Sequence, residues 1–189
     1  YVTLSGKVSV CARTLKAGIV VSDTDPNFAV PSLRKHARVV WKDDDGRTLF
    51  VGVLLVYATD TSGVLLTVTA MDYGYYLSKN EGYYSFNGTP EAAVKQLASD
   101  FGIALGEVAS TGINVARKFP GVYLHNILYT LYTKAGEKTG RKYQIRFVGE
   151  TLTVIVKPHT AKKTLAAKCN IFSSSVSVDA TNYVNTVEI

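Results

Sequence analysis

The clearest periodicity lies at His36-Ala37-Arg38-Val39-Val40-Trp41-Lys42, where His36, Arg38 and Lys42 alternate with Ala37, Val39 and Trp41. A strand with this pattern buries the second set and leaves the first in water. Asp43-Asp44-Asp45-Gly46 follows as a turn, because Gly46 accepts positive φ at little cost and three carboxylates belong in solvent. The partner strand, Thr48 to Thr59, is apolar on both faces, which predicts packing on a core on one side and on a second layer or subunit on the other. Asp60-Thr61-Ser62-Gly63 turns the chain again, and Val64 to Met71 returns as a third strand. The opening, Thr3 to Cys11, reads as a strand interrupted at Gly6. The stretch onward to Leu33 is less regular, and Pro26 and Pro31 make Asp23 to Pro31 a loop or a poorly paired edge.

After Asp72 the pattern changes. Tyr73-Gly74-Tyr75-Tyr76-Leu77 and Tyr83-Tyr84-Ser85-Phe86 read as a tyrosine-dense connection. Thr89-Pro90-Glu91 then starts a helix: Thr89 caps, Pro90 suits the first helical position, and Glu91 complements the positive helix end. Val94, Leu97, Ala98 and Phe101 fall on one stripe, with Gly102 as the stop. A second helix starting near Gly121 carries Leu124, Ile127, Leu128, Leu131 and Ala135 on one face and ends at Gly140. Lys142 to Val148 and Thr151 to Lys157 form a hairpin through Gly149-Glu150. A basic connector with Lys157, Lys162, Lys163 and Lys168 leads to Ile171–Val178 and Tyr183–Ile189, which return to alternating β character.

Composition agrees with a globular chain: of 189 residues 47% are apolar and only 19% charged, enough to bury a core in one domain or two small ones. The longest stretch free of formal charge, Phe119 to Thr133, is 15 residues, short of the roughly 20 that cross a bilayer. No membrane span is expected. The N-terminus lacks the features of a signal peptide, and Tyr1 stands where a native start would have Met, so the expectation is an excised portion of a longer protein. Cys11 and Cys169 have neither zinc nor redox spacing; one bridge is geometrically possible, and two reduced, buried thiols are the preferred reading.

Chemistry is sparse. His36, His125 and His159 are isolated, and neither G-x-S-x-G nor HExxH occurs, so no catalytic residue, no metal ligand set and no cofactor is assigned, and the chain is read as not an enzyme. His36 and His159 are expected in solvent near strand ends, and His125 partly buried beside its helix's apolar stripe. An EF-hand counted from Asp43 would need Glu where Leu54 stands, so Asp43-Asp44-Asp45 is a solvated turn. The net charge of +6 is ordinary for this length and the aromatics are not interleaved with the lysines, so no specific nucleic-acid binding is expected. The twelve tyrosines are the more informative feature. Tyr offers large contact area at low entropic cost with a polar tip, so those of Tyr73 to Tyr84 suit a protein interface or cover a local core. Candidate interface residues are Trp41, Phe50, Tyr57, Tyr73, Tyr75, Tyr76, Tyr83 and Tyr84.

The order of these parts carries a resemblance. Thr48-Leu49-Phe50-Val51-Gly52, the turn at Gly63, Thr67-Val68-Thr69-Ala70-Met71-Asp72-Tyr73 and Tyr76-Leu77 are similar to the hub proteins of contractile phage tails, especially the hub of PBSX-like prophage elements. Thr89-Pro90-Glu91, Asp100-Phe101-Gly102, Thr111-Gly112 and Thr139-Gly140 continue the likeness, which spans residues 48 to 157. Such hubs look like the central hub of T-even baseplates and the late control protein D families. The resemblance implies an α+β fold: a tail-tube-like antiparallel β-barrel from residues 1–72 and 166–189, with an inserted α/β domain, 73–165, of two helices and a β-hairpin. The second barrel of that pattern is not present in this sequence. The implied function is structural, as a baseplate hub that joins tail tube to spike and forms part of the central channel. The implied partners are further copies in a homotrimer, the tail tube protein, the spike protein and other baseplate proteins. The implied place is the virion tail baseplate, assembled in the bacterial host cytoplasm. The alternative is a cell-wall-directed enzyme or carbohydrate-binding module of a tail, with Trp41 and the tyrosines as sugar platforms.

Overall fold

The computed structural model describes residues 1–7, 10–61 and 63–158. Five strands, β1 (Val2–Gly6), β2 (Arg13–Val20), β3 (Arg38–Lys42), β4 (Thr48–Thr59) and β5 (Leu65–Met71), form one antiparallel sheet in the order β1-β2-β5-β4-β3. The turns are built as the sequence predicts. Gly46 takes φ +79° between β3 and β4, where Asp43 Oδ1 accepts from Arg47 N at 2.7 Å. Gly63 takes φ +73° between β4 and β5, where Asp60 Oδ1 accepts from Val64 N and Leu65 N.

Register decides which side chains share a face, because directly opposed residues of antiparallel strands point the same way. Leu15 lies opposite Ala70, Leu54 opposite Ala70, and Trp41 opposite Phe50. Leu15, Phe50 and Ala70 form one buried cluster against which Val39 and Trp41 pack. Ala17, Val21, Leu54, Leu66 and Val68 form a neighbouring one under Leu33 and Ala37. β4 is the long strand, and an irregularity between Leu54 and Val56 divides it. Phe50 to Leu54 are buried, while Val56 to Thr59 are exposed. The two-faced burial expected of this strand therefore holds only for its first half.

β2 is a strand that the sequence pattern does not announce. Thr14, Lys16 and Gly18 alternate with Leu15, Ala17 and Ile19, but Ala17 and Gly18 are weak strand formers. Pairing along both flanks overrides their local preference. The segment from Asp23 to Pro31 is a loop, as expected, with a short 3-10 turn at Pro26–Phe28.

Beyond the sheet come α1 (Gly74–Lys79), β6 (Glu81–Gly88), α2 (Pro90–Asp100), β7 (Leu105–Val108), β8 (Val115–Tyr123), α3 (Leu124–Thr139), β9 (Tyr143–Val148) and β10 (Thr151–Val156). β6 and β8 form an antiparallel ribbon; β10 lies between β9, antiparallel to it, and β7, parallel to it. The supposed tyrosine connection is thus a short helix and a strand. Its sequence hides them because α1 has only six residues and β6 has glycine near both ends, Gly82 and Gly88, around its two adjacent tyrosines. Among the described residues this part of the chain contains three helices where two were expected, together with β7 and β8. α3 starts at Leu124, not near Gly121: Pro120 has no N–H to donate and Gly121 takes φ +65°, both inside β8.

The two longer helices follow their periodicity more closely. Thr89 Oγ1 accepts from Ala92 N at the start of α2, and Gly140 ends α3 in the left-handed conformation. Leu124, Ile127, Leu128, Leu131 and Ala135 are all buried against Leu97, Leu152 and Val154. Phe101 leaves the predicted stripe because α2 ends at Asp100, and its ring is 39% exposed. The described residues are α+β, with an open antiparallel sheet. His159, the basic connector Lys162, Lys163 and Lys168, the strands expected at Ile171–Val178 and Tyr183–Ile189, residues 166–189 generally, and Cys169 lie outside the described residues.

Candidate assembly surface

The eight candidate residues separate into groups with different surroundings. Trp41 and Phe50 meet across β3 and β4. Phe50 is 1% exposed and the Arg13 guanidinium lies 6.0 Å from its ring centre, so within one chain its area is already covered. Trp41, which a sugar platform would need bare, is half-buried against the same cluster.

Tyr73, Tyr75 and Tyr76 gather around the start of α1, with ring centres 6.2 Å apart for Tyr73 and Tyr76 and 5.5 Å for Tyr75 and Tyr76. Tyr73 also rests on Phe147 at 6.3 Å, and Lys79 Nζ stands 5.9 Å from the Tyr75 ring centre. Tyr73 and Tyr76, with Leu77, Phe101, Phe147 and Glu150, line a cleft of about 350 Å³. Burial and the nearby Glu150 charge push the Tyr73 phenol up, so it stays a neutral donor.

Tyr83 and Tyr84 are successive on β6 and face different surroundings. Tyr83 is 82% exposed and packs beside Gly121. Tyr84 stacks on Phe86 at 5.2 Å and donates to Asp100 Oδ2 at 2.8 Å. Burial and then that bond push its pKa up to about 12. Tyr57 sits in the exposed half of β4, 44% exposed, and Val56 beside it is 59% exposed.

Around Tyr57 lies exposed apolar area that the sequence reading anticipated in β4 but not in β2. Val20 pairs with Leu65 and Ile19 with Leu66, while Thr59 also pairs with Leu66, so these positions lie at one end of the sheet. Ile19, Val20 and Val64 there are 42%, 53% and 51% exposed, and further along β4, opposite Thr69 and Val68 and past its last β3 partner at Val53, Val56 and Tyr57 are 59% and 44% exposed. Single exposed apolar residues are ordinary; here the register sends Ile19 and Tyr57 to one face and Val20 and Val56 to the other, so this part of the sheet carries exposed apolar side chains on both faces. The signal was in the sequence, in Ile19-Val20-Val21 and Val53 to Tyr57, where apolar residues run without alternation.

Polar fastenings hold the sheet to the residues that follow it. Asp72, completely buried, accepts from Arg13 Nε at 3.0 Å and from Gly74 N at 3.1 Å. Burial raises the pKa of Asp72 against the pull of those bonds. Cys11 is a free, buried thiol whose Sγ donates to Gly74 O at 3.5 Å, and burial with the nearby Asp72 charge pushes its pKa up to about 12. A Cβ on Gly74 would come within 2.6 Å of Cys11 O, so the backbone approach requires glycine. On the other side Arg38 Nε meets Glu150 Oε1 at 2.6 Å, both exposed.

Glu91 organises the 110–113 loop, accepting from Ser110 Oγ and Thr111 Oγ1 at 2.9 Å each and from Gly112 N at 3.3 Å. Burial acts to raise its pKa, but its own backbone N–H and the Ser110 and Thr111 bonds outweigh burial and hold it at about 2. Because the folded value lies below the unfolded one, of roughly 4.3, Glu91 stabilises the fold fully above that value and loses its contribution as pH falls toward 2. Urea melts of wild type and Glu91→Gln should therefore differ most near neutrality and converge by about pH 2; a gap independent of pH would contradict the assignment.

Asp43 and Asp45 serve the turn, Asp45 reaching Arg47 at 3.5 Å. Among the described residues no three His, Cys, Asp or Glu side chains gather as a metal set, and no helix is long and apolar enough to cross a membrane. His36 is exposed and His125 half-buried.

Two curated proteins of Bacillus subtilis strain 168 are similar to this chain. The phage-like element PBSX protein XkdQ is 29% identical over 147 residues, and the uncharacterized protein YqbQ is 27% identical over 147 residues. Each match takes in 76% of this chain and 44% of the relative, so the chain spans less than half the length of the curated relatives it matches. In fold it is similar to a tail protein from Neisseria meningitidis MC58, with a TM-score of 0.65 at 16% identity over 95% of this chain and 55% of that one. It is also similar to the 43 kDa tail protein of prophage MuSo2 from Shewanella oneidensis, with a TM-score of 0.55 at 14% identity over 76% of this chain and 44% of that one. The YQBQ-like family model matches residues 2–189, and the chain belongs to the YQBQ-like family.

Proposed function

We propose that the chain is a structural component of a phage or phage-like tail, a baseplate hub that connects tail tube to spike and lines part of the central channel. In this reading residues 1–72 and 166–189 build a tube-like barrel, 73–165 are inserted into it, and the hub is a trimer. Its partners are the tube, the spike and other baseplate proteins, in a virion tail assembled in the host cytoplasm. Two likenesses support it: to a PBSX protein in sequence and to two tail proteins in fold.

The observation that carries it is the open five-stranded sheet with exposed apolar side chains on both faces, Ile19 and Tyr57 on one and Val20 and Val56 on the other. Covering such area on assembly contributes about 25 cal/mol per Å² against the entropy of association. Tyr57 and Tyr83 are the most exposed of the candidate aromatics and the best placed for neighbours, whereas Phe50 and Trp41 act from within the sheet.

Mass spectrometry of tail particles purified after inducing the host's prophage should find the full-length protein at a few copies per particle. Disrupting its gene should leave tails without a completed baseplate. Intact, infective or bactericidal tails made without the protein would end the proposal. Peptidoglycan binding or lysis by the purified full-length protein, in particles that assemble without it, would favour the cell-wall alternative.

A further inference from the structure

Among the described residues two polar atoms are buried without a hydrogen bond, His125 Nδ1 and Tyr143 Oη. Both residues line the same small cavity, of about 20 Å³, together with Val10, Cys11, Tyr129 and Gln144. A polar atom under cover with no partner loses its hydration and regains nothing, so two beside one cavity require an explanation. Roughly 10–15 Å³ of such volume holds one water molecule, which leaves no room for a larger ligand. The chemistry of the wall agrees. A phenol can donate, an imidazole nitrogen can accept or donate according to its tautomer, and water does both. The Cys11 thiol is already given to Gly74 O and is held protonated by burial and the Asp72 charge, so the wall offers no thiolate to a metal ion.

We propose that one internal water molecule occupies this cavity and bridges His125 Nδ1 to Tyr143 Oη. It fastens α3, which carries His125, to β9, which carries Tyr143, next to the Val10–Cys11 segment that leads into β2. The bridge is independent of the tail reading. It gives His125 a structural role as a hydrogen-bonding residue of the fold.

A crystal structure of the 189-residue chain that shows ordered solvent tests it. The expected result is a single water within about 2.7–3.2 Å of both atoms. Density showing the two groups bonded to each other or to other protein atoms, with no water between them, would overturn it. Tyr143→Phe supplies a second test whose sign discriminates. If the hydroxyl holds a bridging water, its removal lowers Tm by roughly 2–4 °C. If the hydroxyl is truly without a partner, removal leaves Tm unchanged or raises it, and the proposal fails. His125→Leu should lower Tm as well, and the double variant should lose less than the two singles together, because either change releases the same water. Additive losses would contradict a shared bridge. Should Tyr143→Phe not fold, the wild-type density decides.

Discussion

Phe50→Ala is expected to destabilise the chain by about 3–5 kcal/mol, the cost of a large cavity in a core that cannot collapse around it. The ring is 1% exposed, opposite Trp41, and belongs to the cluster with Leu15 and Ala70. Little can move in to fill the space. Gly52, two residues on, sits so near β5 that a Cβ there would come within 2.2 Å of Met71 O, so the two backbones are already in close contact. Urea unfolding followed through the fluorescence of Trp41, the only tryptophan in the chain, measures the loss. A change below about 1 kcal/mol would mean that the ring matters to a partner and not to the sheet.

The second large effect is on association. Val56→Lys and Ile19→Lys, made singly in the full-length protein, should weaken incorporation into tails at least ~30-fold, the scale of a hot-spot residue whose contact becomes a buried charge. Both side chains are open to solvent in the single chain, so folding should be nearly indifferent, within about 0.5 kcal/mol. Tail yield set beside Tm separates the two effects. Normal incorporation of both variants would show that these two positions stay bare in the particle, whereas a matching fall in Tm would show that they are core.

These expectations also mark how far the sequence could be read. The β3–β4–β5 meander was legible because alternation, the Asp-Gly turn and the Asp60–Gly63 turn agree with one another, and such agreement between local signals is what specifies a fold. α3 was legible in its core face, since five apolar side chains repeat at helical spacing and Gly140 closes the last turn, although Tyr132, also buried, was not picked out. The strands β2, β7 and β8 were not. Their identity depends on partners far away in sequence, as in the pairing of Leu105 with Leu152 and of Thr14 with Met71, and no local pattern records a distant partner. α1 was hidden for another reason. A helix of six residues presents less than two turns of periodicity.

The candidate surface was legible in part. Aromatic character picked out Tyr57 and Tyr83, which are exposed, together with Phe50, which is not. Residue type states what a side chain could contribute to an interface, and only the sheet register states which face it occupies. Val56 was marked only as part of a strand apolar on both faces, and the exposure of Ile19 and Val20 was not foreseen, because apolar residues in a strand normally point to a core. β3 pairs with β4 only as far as Val53, so the second half of β4 has no strand on that side and is exposed.

The most direct test of the tail reading is an electron cryomicroscopy reconstruction of the particle that the full-length protein forms with its tube and spike partners, at side-chain resolution. The expected result is three copies around the channel at the tube–spike junction, each with Val56 and Tyr57 covered by neighbouring protein. A particle that lacks the protein, or a full-length protein that stays monomeric in the presence of those partners, would contradict it.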